Sequence, residues 1–247
     1  MPYAVSVTSL MPPGEHLVKV NVEYPRGQKL PEKVFKLTIH NPLFGKTPPD
    51  EDAEALKVQA AGSKVVLLQQ GFPVEAWKLA NYAGTQDTYL YSTHQVADRN
   101  MDFISFGGTP DLGVGFYGLE SRTLIKFDLT AAPKTATVQK AILKLQLQKG
   151  GAWELRAHRV LKEWQQGIGI GDLYDKQKGQ IRAGECSWAK RVHPDTPWGA
   201  LGCGKEGEDY DAKAVLSACK EAKSSGQSVE KAWVTWDLTE FAQAWVK

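Results

Sequence analysis

The chain has 247 residues, enough for one large hydrophobic core or for a core with a small additional domain. Its 30 Lys and Arg residues nearly balance its 28 Asp and Glu residues without any block of like charge, which argues against nucleic acid or an anionic membrane as a partner. The longest apolar run, Val65 to Leu68, is far shorter than the ~20 residues that cross a bilayer, which predicts no membrane insertion. Glu15, Lys19 and Glu23 interrupt the first apolar stretch, so no signal peptide is visible: either it was removed, or export is not by that route.

The N-terminal third shows the period-two alternation of half-buried strands. Val18, Val20 and Val22 alternate with polar residues over positions 16–24, and a similar pattern at 35–39 follows a Pro-Arg-Gly turn. These two segments predict a β-hairpin. A short helix is expected at 54–60 and a further strand at 65–69. We interpret residues 1–80 as a small β unit that resembles no family.

The remaining residues, 81–247, are also dominated by short predicted strands separated by turn-forming residues. The strands are expected at 88–92, 103–106, 123–129, 141–148, 153–160 and 233–238. Two helices are expected, at 212–222 and at 239–246, with Thr239 as the N-cap of the second. This pattern predicts an all-β fold, a jelly-roll β-sandwich preceded by the small N-terminal β unit.

Three cysteines lie in the last third of the chain. Cys186 and Cys203 bracket a segment rich in Gly, Pro and Trp, which makes a disulfide between them one interpretation and three reduced thiols with Cys219 the other. A structural zinc site is disfavoured, because there is no C-x-x-C pair and His193 is the only nearby histidine.

Several segments in order resemble the DNRLRE-type domain, which overlaps carbohydrate-binding module family 96. The matching segments are Asp87-Thr-Tyr-Leu-Tyr91, Arg122 to Leu129, Ala136 to Leu147, Leu155 to Val160 with Glu163-Trp164, Cys186-Ser-Trp188, Thr196-Pro-Trp198, Asp209-Tyr-Asp211 and Trp236 to Trp245. The family's naming hexapeptide is not present literally. The resemblance implies a jelly-roll domain without catalytic activity that binds polysaccharide, including acidic glycans such as alginate or heparin-like chains, or that builds extracellular surfaces.

Candidate ligand-binding residues are the aromatic side chains that strand alternation leaves outside, together with nearby basic residues. Exposed indole rings stack on the C–H faces of sugars, and Arg and Lys recognise carboxylates. The predicted carbohydrate-binding residues are Trp153, Arg156, Trp188, Lys190, Arg191, Trp198 and Trp233, with Tyr210 as a further candidate. Ordinary loop packing is the alternative for each of them. Trp164 and Trp245 are expected to pack in the core instead.

Asp87, Asp209 and Asp211 are candidate ligands for a structural calcium ion, since carboxylates are the hard oxygen donors that calcium prefers. No catalytic residues are predicted. The acidic pairs in the Gly-rich loop at 206–211 are more typical of solvated or calcium-binding groups than of a general acid and base, and Ser187 near His193 lacks a nucleophile elbow.

Domains of this family continue for about two strands beyond the segment that matches Trp236 to Trp245. A sandwich without those strands exposes an unpaired edge, which the N-terminal unit or a neighbouring subunit could cover. Two functions are therefore expected: an extracellular or cell-surface polysaccharide-binding module, or a structural subunit of a surface layer, filament or virus particle that is completed by strand exchange with identical or neighbouring subunits.

Overall fold

The computed structural model describes residues 14–20, 33–39, 63–92, 104–116, 119–151, 154–171, 181–219 and 228–247. Within these ranges the chain is mostly β-strand, with one 3-10 helix and one α-helix. Neither helix is both long and apolar enough to cross a membrane. The described residues divide into two compact units between Ala83 and Gly84, close to the boundary expected after residue 80.

Twelve strands and one α-helix are found in the described ranges. They are β1 Gly14–Val20, β2 Lys33–Ile39, β3 Thr85–Tyr91, β4 Gly115–Phe116, β5 Glu120–Phe127, β6 Ile142–Gly151, β7 Arg156–Val160, β8 Lys190–Val192, β9 Thr196–Pro197, β10 Tyr210–Leu216, β11 Ala218–Cys219, β12 Ser228–Asp237 and α1 Thr239–Val246. The helix predicted at 54–60 lies outside the described residues.

The first unit contains the predicted antiparallel strand pair. β1 pairs with β2 so that Gly14 faces Ile39 and Val20 faces Lys33. The strand predicted at 65–69 is wrong, because those residues are irregular. A 3-10 helix, Glu75–Trp77, follows, and backbone hydrogen bonds between Val74 and Leu79 close the turn around it.

The described residues of the second unit form four small antiparallel sheets. Their strand orders are β3-β5-β4, β11-β12-β6, β7-β10 and β8-β9. Both faces of the β3-β5-β4 sheet are covered. Leu90 and Leu124 face a core cluster that also contains Trp164, Trp188, Trp198, Cys186 and Cys203. Tyr89 and Tyr91 pack on the other side against Ile104 and Phe106.

Two predicted elements of the second unit are replaced by other structure. The helix expected at 212–222 is wrong: residues up to 219 form β10 and β11, because β10 finds a strand partner in β7 and tertiary pairing overrides the helical preference of an Ala-rich segment. Of the strand expected at 103–106, residue 103 lies outside the described residues, Ile104 forms only a β-bridge and 105–106 are irregular. This segment packs against the tyrosines of β3, with the ring centres of Phe106 and Tyr89 4.2 Å apart.

The helix predicted at 239–246 is confirmed as α1, although its N-cap is not Thr239. The helix begins at Thr239 itself, and the carboxylate of Asp237 accepts hydrogen bonds from the Thr239 backbone N–H at 3.1 Å and its hydroxyl at 2.5 Å. Trp164 is buried as expected, but Trp245 is 44% exposed, since Phe241 and Val246 occupy the buried face of α1.

One buried carboxylate joins three segments of the second unit. Glu185 accepts hydrogen bonds from the Ser105 hydroxyl at 2.8 Å and from the backbone N–H groups of Ile168 and Arg182. The glycine-rich loop at 167–171 is pressed against residue 105, and a Cβ at Gly169 would lie 2.2 Å from the Ser105 hydroxyl oxygen. These glycines therefore permit close backbone packing.

Candidate functional site

Two of the predicted sugar-stacking tryptophans are core residues. Trp188 and Trp198 are 6% and 4% exposed, so the expectation that their rings lie outside is wrong. The Trp198 indole N–H donates to the Ser187 carbonyl oxygen at 2.9 Å, which anchors the ring inside the unit. The guanidinium of Arg122 lies over the Trp188 ring. Neither ring offers a face to a sugar, and Trp153 lies outside the described residues.

The predicted basic residues lie on sheets other than the one that carries Trp233. Arg156 is exposed on β7 and forms an ion pair with Glu154 at 3.7 Å. Lys190 and Arg191 are on β8, where the Arg191 guanidinium donates to the Glu163 carbonyl oxygen at 3.2 Å. Tyr210, the further aromatic candidate, is partly buried beside the His158 ring.

The three predicted calcium ligands have separate surroundings. The Asp209 carboxylate is buried and accepts three backbone N–H groups, from Gly199, Ala200 and Lys205, at 2.8 to 3.0 Å. Asp211 pairs with Arg159 at 2.9 Å, and Asp87 is half-buried on β3. Among the described residues no group of three His, Cys, Asp or Glu side chains is arranged to hold a metal ion. The predicted calcium site is therefore not formed by these residues.

The pKa of Asp209 is lowered and the pKa of Asp87 is raised. Burial works to raise the pKa of Asp209, but the N–H groups of Gly199, Lys205 and Ala200 together lower it below its usual range. Burial raises the pKa of Asp87. Asp209 is thus a charged structural anchor for the loop between β9 and β10.

The two cysteines of the predicted disulfide are free thiols in this structure, as in the alternative interpretation. Both are buried in the same tryptophan-rich cluster. Burial is the largest cause that raises the pKa of each thiol to about 12. Cys219 on β11 is a half-buried thiol that is not in a disulfide.

One of the predicted aromatic residues, Trp233, does lie on an outward sheet face. Along β12, Ala232, Val234 and Trp236 are buried at 0%, 4% and 7% exposure, so Trp233 and Thr235 between them point to the opposite side. Side chains directly opposite each other in an antiparallel pair share a face. We call the resulting surface the Trp233 face; it consists of Ile142, Lys144, Gln146 and Gln148 of β6 and Trp233, Thr235 and Asp237 of β12.

The centre of the Trp233 face combines three kinds of side chain. Trp233 is opposite Gln146 in the strand register, and the Lys144 ammonium nitrogen is 4.7 Å from the centre of the indole ring. The Gln148 amide N–H donates to the Gln146 side-chain oxygen at 3.1 Å. An aromatic ring, two amides and a cation thus lie next to one another on one face of the sheet.

One end of the face is closed by an ion pair. The Lys140 ammonium group bonds the Asp237 carboxylate at 2.5 Å. This hydrogen bond is the largest cause that lowers the pKa of Asp237 to about 2. The Lys144 ammonium group lies beside the indole ring, further along the same face.

Trp233 could be identified from the sequence as a candidate, but its neighbours on β6 were missed. The signal was the strict alternation Leu143-Lys-Leu-Gln-Leu-Gln148, which puts three polar side chains on one face of one strand. It could have identified the polar face, but not that this face lies beside Trp233, because β6 and β12 are far apart in sequence.

Comparisons of the chain with protein-family models, curated proteins and solved structures found no match.

Proposed function

We propose that the second unit is a non-catalytic module that binds an acidic polysaccharide on the Trp233 face. The observation that supports this function is the outward-pointing indole of Trp233 with Lys144 over its ring and Gln146 opposite it. The resemblance to the DNRLRE-type domain points in the same direction. In this proposal the small sheets are parts of a jelly-roll sandwich, and the module works outside the cell or on its surface.

Each chemical group of the face has a counterpart on a polysaccharide. An indole ring stacks on the apolar C–H side of a sugar ring, while the amides of Gln146 and Gln148 donate to and accept from hydroxyl groups. At an exposed site of this kind, the affinity for a polysaccharide is the sum of several weak contacts. Stacking on one aromatic ring is therefore a large share of the affinity.

The charge of the face favours an acidic chain over a neutral one. Lys144 places an ammonium group beside the stacking ring, in addition to the ion pair of Lys140 and Asp237 at one end of the face. A carboxylate or sulfate on the sugar would form a charge-assisted hydrogen bond with this group. Such a contact on an exposed surface weakens as salt is added.

The proposal is tested by affinity electrophoresis and titration calorimetry of the full chain with alginate, heparin and a neutral glucan. Trp233→Ala is expected to weaken binding of an acidic polysaccharide at least tenfold, because it removes the stacking surface. Trp245→Ala is the matched control, since Trp245 is an exposed tryptophan on α1 that is not part of the Trp233 face. Circular dichroism and melting temperature show whether each variant is folded. Wild-type protein that binds no glycan, or a folded Trp233→Ala variant with unchanged affinity, contradicts the proposal.

A second candidate function is a structural subunit of a surface assembly. The glycine-rich loop at 167–171, fixed by Glu185 and Ser105, exposes 57% of Ile168 and 49% of Ile170. Two exposed Ile side chains on a tightly packed loop favour an apolar contact with another copy of the chain. Size-exclusion chromatography with light scattering tests this function. If the protein is a structural subunit, the wild-type chain should form an oligomer, and the double substitution Ile168→Ser and Ile170→Ser should convert this oligomer to a monomer.

A further inference from the structure

We infer that the segment Lys64-Val-Val-Leu-Leu-Gln69 of the first unit is an interaction surface for a second copy of this chain, with which it forms an antiparallel pair of β-strands. The inference goes beyond the proposed glycan-binding function, which is assigned to the second unit. It also concerns residues other than Ile168 and Ile170.

The segment has the sequence of a strand but lacks a strand partner in the described part of the chain. Its centre is two valines and two leucines without Gly or Pro, and residues 63–69 contain neither a turn nor a bend, so the backbone is extended. The backbone N–H and C=O groups of residues 64–68 form no hydrogen bond with any described residue. An extended backbone with unpaired polar groups can pair with a strand from outside the chain.

The C-terminal end of the segment is attached to ordered structure. The Gly71 N–H donates to the Tyr82 carbonyl oxygen at 2.8 Å, and the Tyr82 N–H donates to the Phe72 carbonyl oxygen at 2.7 Å. Val74 within this loop is 2% exposed and Tyr82 is 3% exposed. Because the loop holds one end of the segment in place, pairing with another strand orders fewer residues than it would at a free chain end.

Side-chain exposure alternates along the segment. Val65 is 66% exposed and Leu67 is 40% exposed, whereas Val66 and Leu68 are partly buried. Successive side chains of an extended segment point to opposite faces. Val65 and Leu67 therefore point away from the chain, and Val66 and Leu68 point toward it.

This alternation selects one register of the strand pair. Side chains directly opposite each other share a face. When Val66 of one copy lies opposite Leu67 of the other, the exposed Val65 and Leu67 of each copy share a face with the partly buried Val66 and Leu68 of the other copy, which covers them. A shift by one residue would instead leave all four exposed side chains on the same uncovered face.

The charge of the segment favours the antiparallel direction. Lys64 is its one charged residue. In the selected register Lys64 lies opposite Gln69, so the two Lys64 residues are about 17 Å apart along the strands. This distance exceeds the Debye length of ~8 Å at physiological ionic strength. A parallel pair in register would place the two ammonium groups side by side.

The test is sedimentation velocity of the full chain from micromolar to millimolar concentration. A pair of six-residue strands is small beside the ~800 Å² per partner of a standard interface, so the wild type should form a dimer that dissociates on dilution. Leu67→Lys should weaken dimerisation about tenfold or more, because it places a charge against apolar side chains of the second copy. Leu161→Lys is the matched control, since Leu161 is 41% exposed and Leu67 is 40% exposed. Circular dichroism shows whether each variant is folded.

Hydrogen exchange of the backbone amides locates the contact. The amides of residues 64–68 should exchange rapidly in dilute wild-type protein and more slowly at high concentration, and this slowing should be absent in Leu67→Lys. A wild type that is monomeric at every concentration overturns the inference. So does an oligomer that a folded Leu67→Lys variant retains, or one that forms without slower exchange at 64–68. None of these outcomes bears on glycan binding, which Trp233→Ala tests separately.

Discussion

The guanidinium carbon of Arg122 lies 5.3 Å from the centre of the Trp188 ring, and the same guanidinium donates a hydrogen bond to the Gly202 carbonyl oxygen at 2.8 Å. The next basic residue on β5, Lys126, repeats this arrangement with Trp164: its ammonium nitrogen lies 5.2 Å from the ring centre and donates to the Trp164 carbonyl oxygen at 3.1 Å. Leu124 between them is buried. One strand thus packs its apolar residue in the core and lays two cations over buried tryptophans.

Replacement of Arg122 is therefore expected to destabilise the second unit. Arg122→Met keeps the apolar part of the side chain but removes the cation above Trp188 and the donor to Gly202, which should lower the free energy of unfolding by about 1–3 kcal/mol. Urea denaturation followed by tryptophan fluorescence measures the change. Arg156→Met is the control, because the Arg156 side chain is 67% exposed; a loss of equal size in both variants would disprove a specific role for Arg122.

Asp209 should stabilise the protein in a pH-dependent manner. The buried carboxylate of Asp209 accepts hydrogen bonds from three backbone N–H groups. In Asp209→Asn the side-chain NH₂ group would face these donors and could not accept from them. The free energy of unfolding at neutral pH should therefore fall by about 2–4 kcal/mol. Asp195→Asn, at an exposed position, should change it by less than about 0.5 kcal/mol. Chemical denaturation of the three proteins provides the comparison.

The pH profile gives an independent check on Asp209. Its pKa is lowered by folding, so its stabilising contribution is fully present above about pH 4, the range of an unfolded Asp, and is lost as the pH falls toward the folded pKa. The stability difference between wild type and Asp209→Asn should hence shrink with acidification below about pH 4. A difference that stays constant down to acid unfolding would show that the charge of Asp209 is not responsible.

The cysteines should differ in reactivity. Burial raises the pKa of Cys186 and Cys203 to about 12, so almost no thiolate forms at mildly alkaline pH, while Cys219 is more accessible. Ellman's reagent is expected to modify Cys219 in the native protein and the other two thiols only after unfolding. Peptide mapping identifies the labelled residues. Rapid labelling of native Cys186 or Cys203 would contradict this expectation, and so would a denatured protein that needs reductant to release them.

Period-two alternation was a reliable guide where strands pair over many residues. It located β3, β5, β6 and β12 and placed Trp233 outside, because one buried face in a paired strand fixes the direction of every other side chain. It was wrong for Trp188 and Trp198, which it left outside although both are buried. These residues lie outside the long strands, where burial is decided by contacts such as the bond from the Trp198 indole to the Ser187 carbonyl oxygen.

Local preference also misled where a distant partner decides the structure. The Ala-rich segment that becomes β10 has the composition of a helix, but its pairing with β7 runs antiparallel from Tyr210 opposite Val160 to Leu216 opposite Arg156. The calcium prediction failed for a related reason. Acidic residue type alone does not show whether a carboxylate accepts backbone N–H groups, as Asp209 does, or faces a cation.

The pairing of β6 with β12 has a consequence for how the protein is synthesised. Lys140 and Asp237 at one end of this pair are 97 positions apart, so the sheet consists of contacts with a large sequence separation. Chains dominated by such contacts fold in milliseconds to seconds rather than microseconds. During translation, β6 emerges from the ribosome long before β12. Its apolar residues, Leu143, Leu145 and Leu147, therefore lack their partner strand until β12 has been synthesised. A nascent chain halted before residue 228 is expected to need chaperones to avoid aggregation.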